Sequence, residues 1–310
     1  MKIIKSIGVL VLGAFISIHS LSAQSAVDFV NINPDAHTMA MANTGSVMYA
    51  TPFAIWNNSS SVVYSEQKCD FAASYGVWQP GSSANNNIAV AGYGNITNNL
   101  AITAGVKYFT HQTYNLTDEA GTIIGDFTPK ELSAGVGVAY KISKQFSAAV
   151  NFNYIMSDLG GTKTAGAFAG DIGLNYQTKA INVGLTASNL GTKVNYGGET
   201  AYSLPANVKL GVGKTCELGE KQTLTANIQA GMTFEQSAFF AGIGAEYAFD
   251  DMIFVRTGYH YGDKAKTIPS YASVGLGAKF CGVAVNVAYL ISGASSPINN
   301  SFNVSLGWGF

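Results

Sequence analysis

From Phe302 to Phe310 the apolar side chains fall on every second position, Phe302, Val304, Leu306, Trp308 and Phe310, with Asn303, Ser305, Gly307 and Gly309 between them. A period of two is that of a strand with one apolar and one polar face. The same alternation places Ile181, Val183, Leu185 and Ala187 opposite Asn182, Gly184, Thr186 and Ser188, and returns at Val283, Val285, Val287, Tyr289 and Ile291. Followed along the chain, it predicts fourteen strands, at residues 70–79, 86–95, 99–109, 130–142, 145–157, 165–177, 180–189, 205–214, 222–233, 237–249, 251–261, 270–280, 282–292 and 301–310. Most are close to the 9 to 11 residues that a tilted membrane strand needs.

The connections alternate as well. After the even strands they are short ("NITN", "SK", "TK", "DD", "CG", with "TCELGEK" the longest), and after the odd strands most are longer, up to the run from Thr110 to Pro129. Outer-membrane barrels have short periplasmic turns and long outer loops, and an even strand number returns the C-terminus to the periplasmic side. Residues 110–129 and 190–204 are therefore expected outside the cell. Tyr140, Tyr176, Phe249, Phe280 and Phe310 lie near the periplasmic ends of even strands on the apolar phase, where a lower aromatic girdle belongs. Trp308 and Phe310 form the expected closure signal, an aromatic strand end offered to the barrel assembly machinery.

Composition sharpens this picture. Charged residues are 11% of the chain, against about 25% in soluble domains, while Gly and aromatics are abundant. A soluble β-sandwich also alternates, but its surface is hard to build from so few charges. The N-terminus, "MKIIKSIGVLVLGAFISIHSLSAQ", sets Lys2 and Lys5 before an apolar run and a small-residue site at Ala23, the form of a secretory signal peptide over residues 1–23. Its removal takes the formal charge from -1 to -3, which gives no reason to expect nucleic acid as a partner. The fold class expected is all-β, a transmembrane antiparallel β-barrel of about 14 strands at residues 70–310, in the cell outer membrane and monomeric.

Residues 24–69 precede the first strand and are too long for a tail. "NPDAHTMAMANTG" has Asn33 as a helix N-cap, Pro34 at the first helical position and Gly45 as a stop. A short helix followed by "TPFAIWNNSSSVVY" is suited to fold into the barrel as a plug. Paired glycines at 135/137, 211/213, 242/244, 275/277 and 307/309 fall on the inward phase, and a wall without side chains lets another backbone approach closely.

Catalytic chemistry is not written in the chain. No nucleophile elbow is present, His37, His111 and His260 lack ligand or triad spacing, and Cys69, Cys216 and Cys281 are far apart. The expectation is no enzyme, no cofactor and no metal. Inward-phase ionisable residues are Lys107, Lys141, Asp171, Lys209, Glu246, Arg256, His260 and Lys279. The candidate lumen and plug contacts are Trp56, Asn57, Lys107, Asp171, Glu246, Arg256 and His260.

"NINPDAHTMAMANTGSVMYATPFAIWNNSS" resembles the N-terminal signature of the PorV/PorQ family, within the FadL-like barrel group, with His37, Ala40 and Asn58-Ser59 at positions where that signature has Arg, Gly and Pro-Ala. "SYGVWQP", "NYIMSDLG", "SNLGTKVNYGG" and "LPANVKLG" follow in the same order, so the resemblance covers nearly the whole mature chain. It implies a fourteen-stranded outer-membrane barrel of Bacteroidetes-type bacteria, embedded in outer-membrane lipid. In the PorV case the resemblance implies type IX secretion, with cargo C-terminal domains and the surface attachment machinery as partners. The FadL branch implies instead the uptake of hydrophobic small molecules.

Overall fold

The computed structural model describes residues 26–80, 85–160 and 163–310, so the expected signal peptide lies outside the described residues. Fourteen strands close into one antiparallel barrel. They are β1 Cys69–Trp78, β2 Asn85–Asn95, β3 Leu100–Thr110, β4 Lys130–Lys141, β5 Phe146–Asp158, β6 Ala165–Gln177 and β7 Asn182–Gly191. The second half comprises β8 Asn207–Gly219, β9 Gln222–Thr233, β10 Phe239–Phe249, β11 Ile253–Gly262, β12 Tyr271–Phe280, β13 Val283–Ile291 and β14 Phe302–Gly309. Each strand pairs with its neighbours in sequence, and β14 closes on β1 in a register from Asp70 opposite Gly309 to Val77 opposite Phe302. Cys69 and Phe310 exchange backbone hydrogen bonds of 3.0 and 2.9 Å at this seam. The last strand, with its aromatic end, completes the ring, and a closed ring leaves no unpaired backbone facing lipid.

The two faces separate as the alternation predicts. On β14, Trp308 and Leu306 are 56% and 57% exposed while Asn303 and Ser305 are each 2% exposed, an inversion that makes sense only if lipid covers the outside. Tyr140, Tyr176, Phe249, Phe280 and Phe310 all point outward near the short-turn end. Lys279, expected inside, is exposed there, where a strand end leaves its side chain free to reach water.

Two expected strand bounds need correction. The eighth strand runs on to Gly219 rather than stopping at 214, and only Glu220 and Lys221 separate it from β9. Thr215, Cys216 and Glu217 pair with Thr225, Leu224 and Thr223; beyond the lipid the outward face no longer has to be apolar, so hydrogen bonding continues where the hydrophobic pattern stops. The seventh strand is displaced to Asn182–Gly191, beside a register shift between Gly170 and Ile172 of β6. The run 110–129, expected as an outer loop, contains a projecting hairpin, Tyr114–Thr117 against Ile123–Phe127, which agrees with that expectation.

Inside the barrel lies the N-terminal segment, the plug. It contains α1 (Ala36–Ala40) and 3₁₀ turns at Asp28–Asn31, Gly45–Val47, Ala54–Trp56 and Ser59–Tyr64. The cap of α1 is Asp35, not Asn33: its carboxylate accepts from the His37 N–H (3.0 Å) and the Thr38 hydroxyl (2.7 Å), while Asn33 Oδ1 accepts the Asp35 N–H instead (3.0 Å). The helix ends at Ala40 because Ala42 and Asn43 turn left-handed, with φ of 56° and 58°, well before Gly45. From Ala26, bonded to Ser203 of a long loop, the segment descends to Tyr64 at the short-turn end and enters β1.

Glycines make this fit possible. A methyl group on Gly244 would stand 2.6 Å from Met41 O, one on Gly242 2.6 Å from Ala42 O, and one on Gly275 would collide with Ala40. Gly211 meets Ser46 and Val47, and Gly309 meets Gln67. The other expected pair members do different work. Gly135 and Gly137 make room for the amides of Asn153 and Asn151 on β5, and Gly277 makes room for Arg256 and Asn286.

Candidate functional site: a cavity above the plug

Residues 45–65 fill the short-turn half of the barrel through hydrogen bonds to its wall. Asn182 donates to Val47 O (2.9 Å), Asn151 to Ile55 O (3.0 Å), Ser147 to Ser60 O (2.7 Å) and Asn58 to Leu174 O (3.2 Å). The wall supplies amides and hydroxyls because the plug, built of turns, presents carbonyls that no regular ladder satisfies. Val62 and Val63 pack with Tyr93, Ala101, Ala139 and Ala149, and Lys141 lies 4.9 Å from the Tyr64 ring centroid.

Above this floor the first residues form a strap along the wall. Lys107 of β3 is fully buried and donates to three strap carbonyls, Phe29 O (3.1 Å), Val30 O (2.9 Å) and Ile32 O (3.0 Å). Its ammonium also lies 5.5 and 5.7 Å from the Phe29 and Trp56 rings, so a buried charge is paired with dipoles and π-faces rather than with an acid. Asn31 is held in turn, its Oδ1 accepting from Asn189 (3.0 Å) and Asn207 (3.1 Å). Phe29 packs with Phe109, Ile155 and Leu204.

The remaining candidates divide between cavity and plug. Asp171 sits at the register shift, where its two carboxylate oxygens accept from the Asn189 N–H and the Asn153 amide, both 2.7 Å. Asn189 takes φ of 60° opposite it, so the bulge and the carboxylate form one unit. Trp56 packs its indole on Gly105. Asn57 is buried and ties the plug to itself, accepting from Asn33 (2.7 Å) and donating to Thr38 (3.2 Å). Glu246 forms an ion pair with Arg256 and a 2.9 Å contact with His37 of α1, while Arg256 also donates to Asn286 (2.8 Å). His260 donates to Ala42 O (3.4 Å) and stacks between Phe240 and Tyr271, with centroids at 6.0 and 4.8 Å.

Trp56, Asn57, Asp171 and His260 line a cavity of about 590 Å³ that rises from the plug and opens among the long loops at Glu235, Pro269 and Ile298. Lys107, Glu246 and Arg256 do not reach it: the first is sealed beneath the strap, and the other two brace α1 against the wall. Residues unmarked by the sequence pattern line the cavity, as Glu131 and His111 do, or brace its wall from behind. Glu131 accepts from Ser157 (2.9 Å) and contacts His111 (3.0 Å), and Tyr196 of the 192–206 loop donates to Ser157 (2.9 Å). Burial raises the Tyr196 phenol above its ordinary pKa, which keeps it in the donating form. Only the inward phase of Glu131 and Ser157 could have marked them.

Comparison with known proteins adds to this geometry. The structures most like it include the toluene transporter TodX of Pseudomonas putida (TM-score 0.62, 14% identity, 94% of this chain and 99% of that one) and the toluene transporter TbuX of Ralstonia pickettii (TM-score 0.62, 13% identity, 88% and 96%). The monoaromatic hydrocarbon channel CymD is similar too (TM-score 0.63, 11% identity, 90% and 98%). At such identities the likeness shows the fold alone, a closed antiparallel β-barrel. No curated protein sequence matches the chain. The family described as type IX secretion system protein PorV matches residues 19–233, a span holding the plug and the first nine strands, and the chain belongs to that family.

Proposed function

We propose that this barrel serves type IX secretion, receiving the C-terminal domains of cargo proteins at its outer face and passing them to the surface attachment machinery. The observation that carries the reading is the family match over residues 19–233. The plug supports it, since a lumen filled below and hollow above suits reception at the cell surface better than free passage of solute. In this reading the barrel is a monomer in outer-membrane lipid, inserted by the barrel assembly machinery through its Trp308–Phe310 end. Uptake of a hydrophobic small molecule is the second reading, favoured by the fold shared with TodX and CymD and by the rings of Trp56, Phe109 and Phe240 along the cavity.

Deleting the gene in its source bacterium separates the two. The secretion reading expects proteins that bear the type IX sorting domain to disappear from the cell surface and accumulate in the periplasm, with recovery when the gene is restored. Unchanged surface cargo, together with slower uptake of a radiolabelled aromatic hydrocarbon, would replace it with the channel reading.

A further inference from the structure

Two lysines of the inward phase reach the outer half of the lumen, and they are not in the same state. Lys107 is satisfied by three peptide carbonyls of the strap. Lys209 of β8 lines the cavity and has no hydrogen-bond or ion-pair partner among the described residues. Asp171 acts on it only through space, and both carboxylate oxygens of Asp171 already accept hydrogen bonds. Lys209 stands opposite Gly231 on β9, and Gly231 stands opposite Phe240 on β10. A methyl group on Gly231 would run into the Phe240 ring. An ammonium, a stretch of bare backbone and an aromatic ring therefore lie in one row across three strands.

The half-buried Lys209 keeps its ammonium open to the cavity, where a ligand that supplies acceptor oxygens can take the place of water. A hydrocarbon has none. A carboxylate has them, but the cavity is already lined by Asp28, Glu131, Asp171 and Glu235, so another anion would be repelled. Neutral carbonyls remain, the groups that Lys107 holds. Every barrel strand is paired on both sides, which rules out recognition by strand addition and leaves side-chain capture of a short, turned segment like the strap itself. We infer that the cavity binds a polypeptide segment, Lys209 taking its backbone carbonyls and Phe240 an apolar side chain. The inference rests on the secretion reading for the source of that segment.

The test uses the full mature barrel in detergent, incubated with a pool of acetylated, amidated octapeptides, with maltohexaose, or with palmitate, and bound material is identified by affinity-selection mass spectrometry. Retention of a subset of peptides, reduced at least tenfold in Lys209→Met and in Phe240→Ala but kept in Lys209→Arg, is the expected result. Each variant is first checked for the heat-modifiable band of a folded barrel; if Lys209→Met does not fold, Lys209→Gln and Phe240→Ala carry the comparison. No retained peptide, equal retention by the variants, or retention of the oligosaccharide or the fatty acid instead would overturn the inference. Binding in detergent does not depend on any secretion phenotype, so the two proposals can fail separately.

Discussion

Lys107 sits on a membrane strand with its charge wholly enclosed, and it is stable there because three carbonyls and two rings surround it. Removing the ammonium frees three buried acceptors at once, each an unsatisfied group that costs free energy. Lys107→Met is expected to weaken the hold on the strap by about 3 kcal/mol. The check is a cysteine at Val30, which should react with maleimide many times faster in the Lys107→Met background; equal rates would mean that the strap is held elsewhere. The lysine was legible as an inward charge, but its partners were not. They are backbone atoms of a turn some 75 residues earlier, and no pattern of side chains announces where a carbonyl will point.

At the scale of elements, period-two alternation located the strands because the lipid imposes it, and it failed where the lipid ends, as in the run of β8 to Gly219. Asp35 rather than Asn33 became the cap because two donors, His37 N–H and the Thr38 hydroxyl, converge on its carboxylate, a local choice among neighbouring Asx residues that spacing alone leaves open. The closing strand makes a firm prediction. Deleting Phe310 removes both a lipid-facing ring and the last backbone pair with Cys69, so less heat-modifiable protein should reach the outer membrane, and undiminished amounts would show that the seam forms without it. The glycine wall makes another. Gly242→Leu combined with Gly244→Leu drives side chains into Ala42 and Met41, and a cysteine at Met41, buried in the parent, should then become reactive; continued protection would place the plug against some other surface.

For the whole molecule, orientation and occupancy decide what the barrel can do. The hairpin Tyr114–Thr117 with Ile123–Phe127 projects from the long-loop end with nearly every residue exposed, whereas the 192–206 loop is pinned by buried Val194 and by the Tyr196 bond to Ser157. Protease added to intact cells should cut the hairpin first and the second loop slowly, and cutting that needs lysis would invert the orientation. The plug closes the lumen below a cavity that opens among the long loops. Conductance of the mature barrel in planar lipid bilayers checks this closure: the filled short-turn half predicts insertion without a steady ionic current, and a stable open-pore current carried by the intact chain would contradict it.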